Sequence, residues 1–386
     1  MFKRYDAYIV GYYGMRNSGD DALMLASIWG AQKLLGLNRV KVACSEHTPD
    51  LGVEWTKNLL PTPPQFRGQH RAKHYLAATQ SNRLIFGGGS VLHTEKDIEM
   101  KRHLMKLSSK SKSMAIGIGI GPFENKRAQN SCAKFLNECG FVGLRDQQSY
   151  ELALKIAPNA NLHNSFDLAP LLSWHPEFKT AQKREGILFN LCPLALNAFG
   201  MTDSMNEAKR VSNMAQVIEA VHKNTGQPIS VMDMNGHDLY GDWQLSTALS
   251  EKLAGRVPLE VIPYNSNPLQ VINKISSFKS VVSMRLHGNI FAYLAGVPTV
   301  ALNYHRKCWQ WCDQAGIPEE YQFHAKQFDK VELVEAIEES TLLNSGNQAL
   351  DVEVAVNNSL KNWSFKHEEH RIFSRNPFVQ QRKAHC

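Results

Sequence analysis

Long apolar runs are missing from this 386-residue chain. No stretch reaches the roughly 18 consecutive apolar residues of a membrane-spanning helix, so none is expected. Cysteine is sparse and scattered, at 44, 132, 139, 192, 308, 312 and 386, with no C-x-x-C pair. An odd, dispersed set excludes a disulfide framework and suggests buried free thiols in a reducing compartment. His70 with His74, and Cys308 with Cys312, repeat a four-residue spacing, but two ligands do not make a zinc site; no metal is expected. The opening MFKRYDAYIVGYYG lacks the apolar core and cleavage site of a secretory signal, which favours a cytoplasmic location. No G-x-G-x-x-G fingerprint and no Walker loop follow any strand-like segment. Neither sign of charge dominates: 43 Lys and Arg face 36 Asp and Glu, a net +7. That excess suits anionic substrates, a membrane surface or nucleic acid without choosing among them.

What the chain has is alternation. Hydrophobic residues make up 43% and charged residues 20%, as in a soluble globular protein large enough for two domains. AYIVGYYG (7–14), VKVACS (40–45), RLIFGGGS (83–90), SMAIGIGIGP (113–122) and FVGLRD (141–146) read as strands. Helical patterns occupy 20–35, 95–108, 126–138 and 147–157. The second half repeats the scheme. Strands are expected at 185–192, 228–235, 259–265, 280–284 and 298–304, with helices at 206–225, 243–254, 268–277 and 288–295. Continuous apolar strands separated by helices imply parallel sheets covered on both faces. The expected fold class is α/β, with two doubly wound Rossmann-like domains facing a cleft. The first covers 1–175, the second 185–340, and a polar seam lies between. A basic tail follows at 341–386. From residue 361 onward it carries six Lys and Arg against two Glu. A solvated tail is one reading; peripheral attraction to the inner, cytoplasmic face of the membrane is the other.

Open α/β sheets bind ligands beyond the carboxyl ends of their strands, and the notable residues cluster there. In GYYGMRNSGDDALMLA (11–26), Asn17 and Ser18 precede a helix, and Asp20 and Asp21 stand where they either cap it or act on a ligand. Gly87, Gly88, Gly89 and Ser90 let backbone approach a ligand closely. In GIGIGP (117–122) the alternating glycines favour close packing. Arg145 ends a strand, and Asp146 is placed to cap the next helix. In SVVSMRLHG (280–288), Arg285 offers a fork of donors for carboxylate or phosphate. His287, two residues on, exchanges protons near neutral pH. Lys307 follows the next strand. Cations gathered at strand ends point to an anionic small molecule.

N-S-G-D-D at 17–21, G-G-G-S at 87–90, G-I-G-P at 119–122, L-R-D-x-x-S at 144–149, D-L-A at 167–169, S-M-R-L-H-G at 283–288, G-V-P at 296–298 and Y-x-x-K at 304–307 together resemble the polysaccharide pyruvyl transferase family. The resemblance implies a two-domain fold similar to GT-B glycosyltransferases. It also implies transfer of a pyruvyl group from phosphoenolpyruvate to a sugar as a ketal, with no nucleotide, metal or other cofactor. The family's Arg-x-His motif falls on Arg285 and His287, and the arginine of its L-R-D motif on Arg145. Arg306 stands where the family pattern has proline. On this basis His287 is the candidate general acid, and Asp20 and Asp21 are candidates to serve the acceptor hydroxyls. Arg145, Arg285 and Lys307 are expected to hold the donor, with Asn17, Gly87, Gly88, Gly89, Ser90 and Leu286 in the substrate-binding set. The implied partners are phosphoenolpyruvate and a saccharide, free or lipid-linked, and not nucleic acid. The competing readings are a nucleotide-sugar glycosyltransferase or epimerase of the same architecture, and a non-catalytic binder of anionic glycans.

Overall fold

The computed structural model describes residues 4–44, 51, 53–59, 66–194 and 204–364. The chain divides into two compact units. The first takes in the described residues of Met1–Met15, Leu23–His175 and Ala355–Cys386; the second comprises Arg16–Ala22 and the described residues of Pro176–Val354.

The first unit holds β1 (Ala7–Val10), β2 (Val40–Val42), β3 (Glu54–Trp55), β4 (Leu84–Leu92), β5 (Met114–Ile120), β6 (Phe141–Leu144) and β7 (Leu162–Asn164). They form one parallel sheet in the order β3-β2-β1-β4-β5-β6-β7. Every residue of β1, β2, β5 and β6 is buried, because helices cover both faces. The helix Ser18–Lys33 shows no exposed stripe between Asp21 and Ala31, as befits a helix apolar nearly all round. Its Gly30 leaves room for the indole of Trp363.

That tryptophan belongs to the segment read from the sequence as a basic tail. Its described part is built into the fold. Val352–Leu360 is a helix and Lys361–Trp363 a 3₁₀ turn. Asn362, fully buried, accepts from the Gly117 amide and the Ser165 hydroxyl, both at 2.7 Å, and donates to the Phe166 and Ser359 carbonyls. Of the six tail cations, Lys366, Arg371, Arg375, Arg382 and Lys383 lie outside the described residues.

The second unit holds β8 (Ile187–Asn190), β9 (Ile229–Met232), β10 (Leu259–Ile262), β11 (Ser280–Ser283), β12 (Thr299–Asn303) and β13 (Gln322–His324). They are parallel in the order β10-β9-β8-β11-β12-β13. Both units are therefore doubly wound, as the alternation of apolar runs and helices predicts. Each sheet has one place where the strand order reverses, between β1 and β4 in the first and between β8 and β11 in the second. A ligand crevice is expected beyond the strand ends at such a point.

Among the described residues no helix is long and apolar enough to cross a membrane. Cys132, Cys139, Cys192, Cys308 and Cys312 are buried free thiols, and burial pushes Cys132 and Cys139 up to about 12.

Candidate functional site

In the second unit the chain leaves β11 and turns at Arg285 into the helix Leu286–Leu294. The turn is tight: a side chain at Gly288 would overlap the Ser283 hydroxyl and lie 2.8 Å from Asn190 Oδ1, on the neighbouring strand β8. Arg285 is held at that corner by Asp242, which lies between β9 and the helix Trp243–Leu253. Its Nε donates to Asp242 Oδ2 at 2.7 Å, and its Nη2 donates to Oδ1. Asp242 is fully buried and also accepts from the Met234 and Asn235 amides at 3.0 Å each. Burial opposes the charge on Arg285, but the Asp242 carboxylate outweighs it and raises the guanidinium pKa. Two of the five guanidinium donors are thus used to fix the group. Burial pushes the nearby Cys192 thiol up to about 11.

His287 lies in the first turn of the same helix, half-buried, with Phe291 one turn on at a ring distance of 6.0 Å. Gly19 also lies against the ring. A Cβ at position 19 would overlap the imidazole at Nδ1 and Cγ, so only glycine leaves the ring where it is. Gly19→Ala is expected to displace His287 and to lower activity at least about tenfold, the lower side of general acid–base effects. Near-normal activity in that variant would show that the ring position does not matter.

Gly19 reaches His287 because residues 16–22 group with the second unit. The sequence reading placed Asn17, Asp20 and Asp21 in the first domain. Here Asn17 bridges Asn235, the Ser18 amide donates to the Met234 carbonyl at 2.9 Å, and the Gly236 amide donates to the Arg16 carbonyl at 2.8 Å. Arg16 takes a left-handed backbone, φ 55, and pairs with Asp238 at 2.5 Å. Asn17 also caps the turn by accepting from the Gly19 amide at 3.0 Å. Asp21 is 3% exposed and accepts from the Tyr264 hydroxyl at 2.6 Å. Burial lifts its carboxyl to about 7 against the lowering effect of Tyr264, and Asp20 adds to the rise.

Lys307 occupies the first turn of the helix Arg306–Ala315, where its amide donates to His305 Nδ1 at 3.3 Å. Leu286 is buried, with 7% of its surface exposed.

In the first unit, four of the sequence motifs meet at Arg145, just beyond β6. Its Nη2 donates to the Ser90 hydroxyl at 3.1 Å. Its Nε lies 3.5 Å from Asp146 Oδ2 and its Nη1 3.9 Å from Asp167 Oδ2. Gly119 lets the guanidinium lie flat against β5: a Cβ there would stand 3.0 Å from both Nε and Nη2. Arg145 and Asp167 are both at least nine-tenths buried. Asp146 caps the next helix by accepting from the Ser149 amide at 2.7 Å. Two of the three glycines before Ser90 border protein atoms. Gly87 faces Tyr13 and Ser27, and Gly88, at φ 37, faces Leu23. Gly89 has φ 86.

Asp242, Tyr264 and Asp167 are the site neighbours that sequence reasoning missed. Asp167 sits in the D-L-A motif and was within reach. Asp242 and Tyr264 follow β9 and β10, where no local pattern marks them.

Two doubly wound units with anchored arginines and a histidine beyond their strand ends define a Rossmann-like α/β protein. The chain belongs to the polysaccharide pyruvyl transferase family, whose model matches residues 17–306. No curated protein matches the chain. Its fold is similar to that of UDP-GlcNAc 2-epimerase from Methanocaldococcus jannaschii, with a TM-score of 0.58 at 10% identity over 95% of this chain and 99% of that one. It is also similar to the enzyme from Neisseria meningitidis, with a TM-score of 0.56 at 10% identity over 92% and 96%. At such identities the likeness establishes the fold alone.

Proposed function

We propose that the chain transfers the pyruvyl group of phosphoenolpyruvate onto two hydroxyls of one sugar residue, forming a cyclic ketal and releasing phosphate. The observation that carries this reading is the second unit's cluster beyond β11. It holds a clamped guanidinium and an imidazole positioned by Gly19, and two residues after Gly19 stands a buried carboxyl whose pKa burial lifts to about 7. Arg285 supplies directional donors for the donor's carboxylate or phosphate. His287 gives a proton to the methylene carbon, and C2 becomes an oxocarbenium-like centre. A sugar hydroxyl forms a bond to C2 and loses its proton to Asp21. The bond from C2 to the phosphate oxygen breaks, and the leaving phosphate takes up the proton held by Asp21, which restores the base as inorganic phosphate departs. A second hydroxyl of the same sugar attacks C2, and its proton restores the acid. Donor and diol thus give ketal and phosphate, with no redox change and no group unaccounted for. Arg145, in the first unit, is fixed by Ser90 and its acidic neighbours.

Phosphate release that depends on both phosphoenolpyruvate and a pyranoside supports the reading. Release from the donor alone, or binding of UDP-sugars in its place, counts against it.

The raised pKa of Asp21 gives a sign to the pH dependence. As a base, Asp21 works only when ionised, so the acid-side rise of the pH–rate profile should follow its ionisation at about 7, while the need for a protonated His287 limits activity on the alkaline side. Asp21→Asn should abolish that rise and lower the plateau. Stability should run the other way. The native carboxyl takes up a proton between pH 7 and about 4 that the unfolded chain does not, so the fold should gain stability as pH falls through that window. A pH–rate profile unchanged in Asp21→Asn would remove Asp21 from the mechanism.

A further inference from the structure

The helix Ser18–Lys33 begins in the second unit, and its first turn carries Asp20 and Asp21. The buried Asp21 carboxylate accepts, through Oδ2, from the Tyr264 hydroxyl at 2.6 Å. Tyr264 is half-buried and follows β10, the edge strand of the second sheet. We infer that Tyr264 is a positioning residue for the transfer reaction: its hydroxyl fixes Asp21 by Oδ2 and turns Oδ1 to the acceptor hydroxyl. The inference rests on the proposed role of Asp21 as base; the hold of Tyr264 on Asp21 does not.

The Tyr264 ring is itself held in place. A Cβ at Gly236 would stand 2.7 Å from its Cδ1, so the loop after β9 packs directly on the ring. The Arg16 guanidinium lies 5.9 Å from the ring centre, within cation–π range. Arg16 is fixed in turn by Asp238 at 2.5 Å, and its left-handed backbone, φ 55, is a conformation that persists only where the surroundings enforce it. The phenol is thus aimed at the carboxylate by a loop, a cation and a strained turn.

Docking of residues 16–22 does not depend on this bond. The Ser18 amide already donates to the Met234 carbonyl, the Gly236 amide donates to the Arg16 carbonyl, and Asn17 bridges Asn235. What the hydroxyl adds is chemical. A donor on a carboxylate favours its ionised form. Burial works against that form and lifts the Asp21 carboxyl to about 7, while Tyr264 opposes the rise and Asp20, on the same turn, adds to it. The other charged or titratable groups around them are Arg16, Asp238 of the loop after β9, and His287 of the helix Leu286–Leu294, which lies against Gly19. Without the phenol the base would stay protonated, and idle, over more of the neutral range.

Tyr264→Phe removes one oxygen and keeps the ring between Gly236 and Arg16. The protein is labelled with carbon-13 at the aspartate carboxyls, and the Asp21 signal is assigned by its loss in Asp21→Asn. In wild type that signal should titrate at about 7. In Tyr264→Phe its midpoint should rise by about one unit, the size expected for losing a hydrogen bond to a charged group. The acid-side limb of the pH–rate profile should move with it, so that turnover falls about tenfold at about pH 6 and only about twofold at about pH 8. A residue that merely supports the fold would lower turnover equally at both. An unmoved carbon-13 midpoint, or an equal loss of turnover at both pH values, overturns the inference. A midpoint that moves while the pH–rate limb stays leaves the Tyr264–Asp21 coupling standing and sinks Asp21 as the base.

Discussion

His287→Ala is expected to lower turnover by a factor on the order of 10²–10⁴, the range for loss of a positioned general acid. Carbon is a poor proton acceptor, so in the proposed reaction the protonation of the methylene group depends on an acid held at the right place. The structure supplies the holding. His287 sits one helical turn before Phe291, and Gly19 packs against its Nδ1 edge. The alanine variant should fold, because the ring is half-buried and ends a turn already set by Arg285 and Gly288. Thermal unfolding within a few degrees of wild type, with steady-state kinetics under saturating donor, checks both halves. A folded variant with near-normal turnover removes His287 as the acid.

Asp242→Ala is expected to destabilise the protein by about 3–5 kcal/mol, the cost of stranding one member of a buried ion pair. Asp242 is fully buried and serves four donors: two from Arg285 and the Met234 and Asn235 amides. Alanine leaves all four without that acceptor at a fully buried position. Asp242→Asn keeps the shape and one acceptor oxygen, so it should cost less. The midpoints of urea unfolding give the comparison, with the slope checked for change. A loss below about 1 kcal/mol for alanine would place the pair in the class of exposed, weak salt bridges. In the asparagine variant the Michaelis constant for phosphoenolpyruvate should rise more than turnover falls, because Asp242 orients Arg285 and touches no reacting atom.

The central strands were legible because burial on both faces writes them as unbroken apolar runs. AYIV, MAIGIGI and SVVS are such cases. The strands missed were Glu54–Trp55, Leu162–Asn164 and Gln322–His324, each at a sheet edge. Edge strands are short and partly polar, which guards against unwanted pairing and hides them from a hydrophobicity pattern. The helix Gln69–Thr79 was missed because Gln69, Ala77 and Ala78 are its buried residues, too few for a stripe. Arg306–Ala315 was missed despite one: Cys308, Trp311, Cys312 and Ala315 follow helical spacing. The strand-end residues Arg145, Arg285 and His287 were visible because each directly follows an apolar run. Their partners were not. Asp242 meets Arg285 because β9 and β11 both flank β8, a neighbourhood fixed by strand order and not by local sequence. Asp21 meets Tyr264 through the docking of residues 16–22 onto the loop after β9, which no periodicity announces.

The most direct test follows the donor carbon itself. The protein is incubated with phosphoenolpyruvate labelled with carbon-13 at C2 and a neutral pyranoside, and the products are read by NMR and mass spectrometry. The label is predicted to appear as a quaternary ketal carbon bonded to two oxygens of one sugar, with an equal amount of inorganic phosphate. Label that remains in phosphoenolpyruvate, or that emerges as free pyruvate whether or not the sugar is present, would contradict the account.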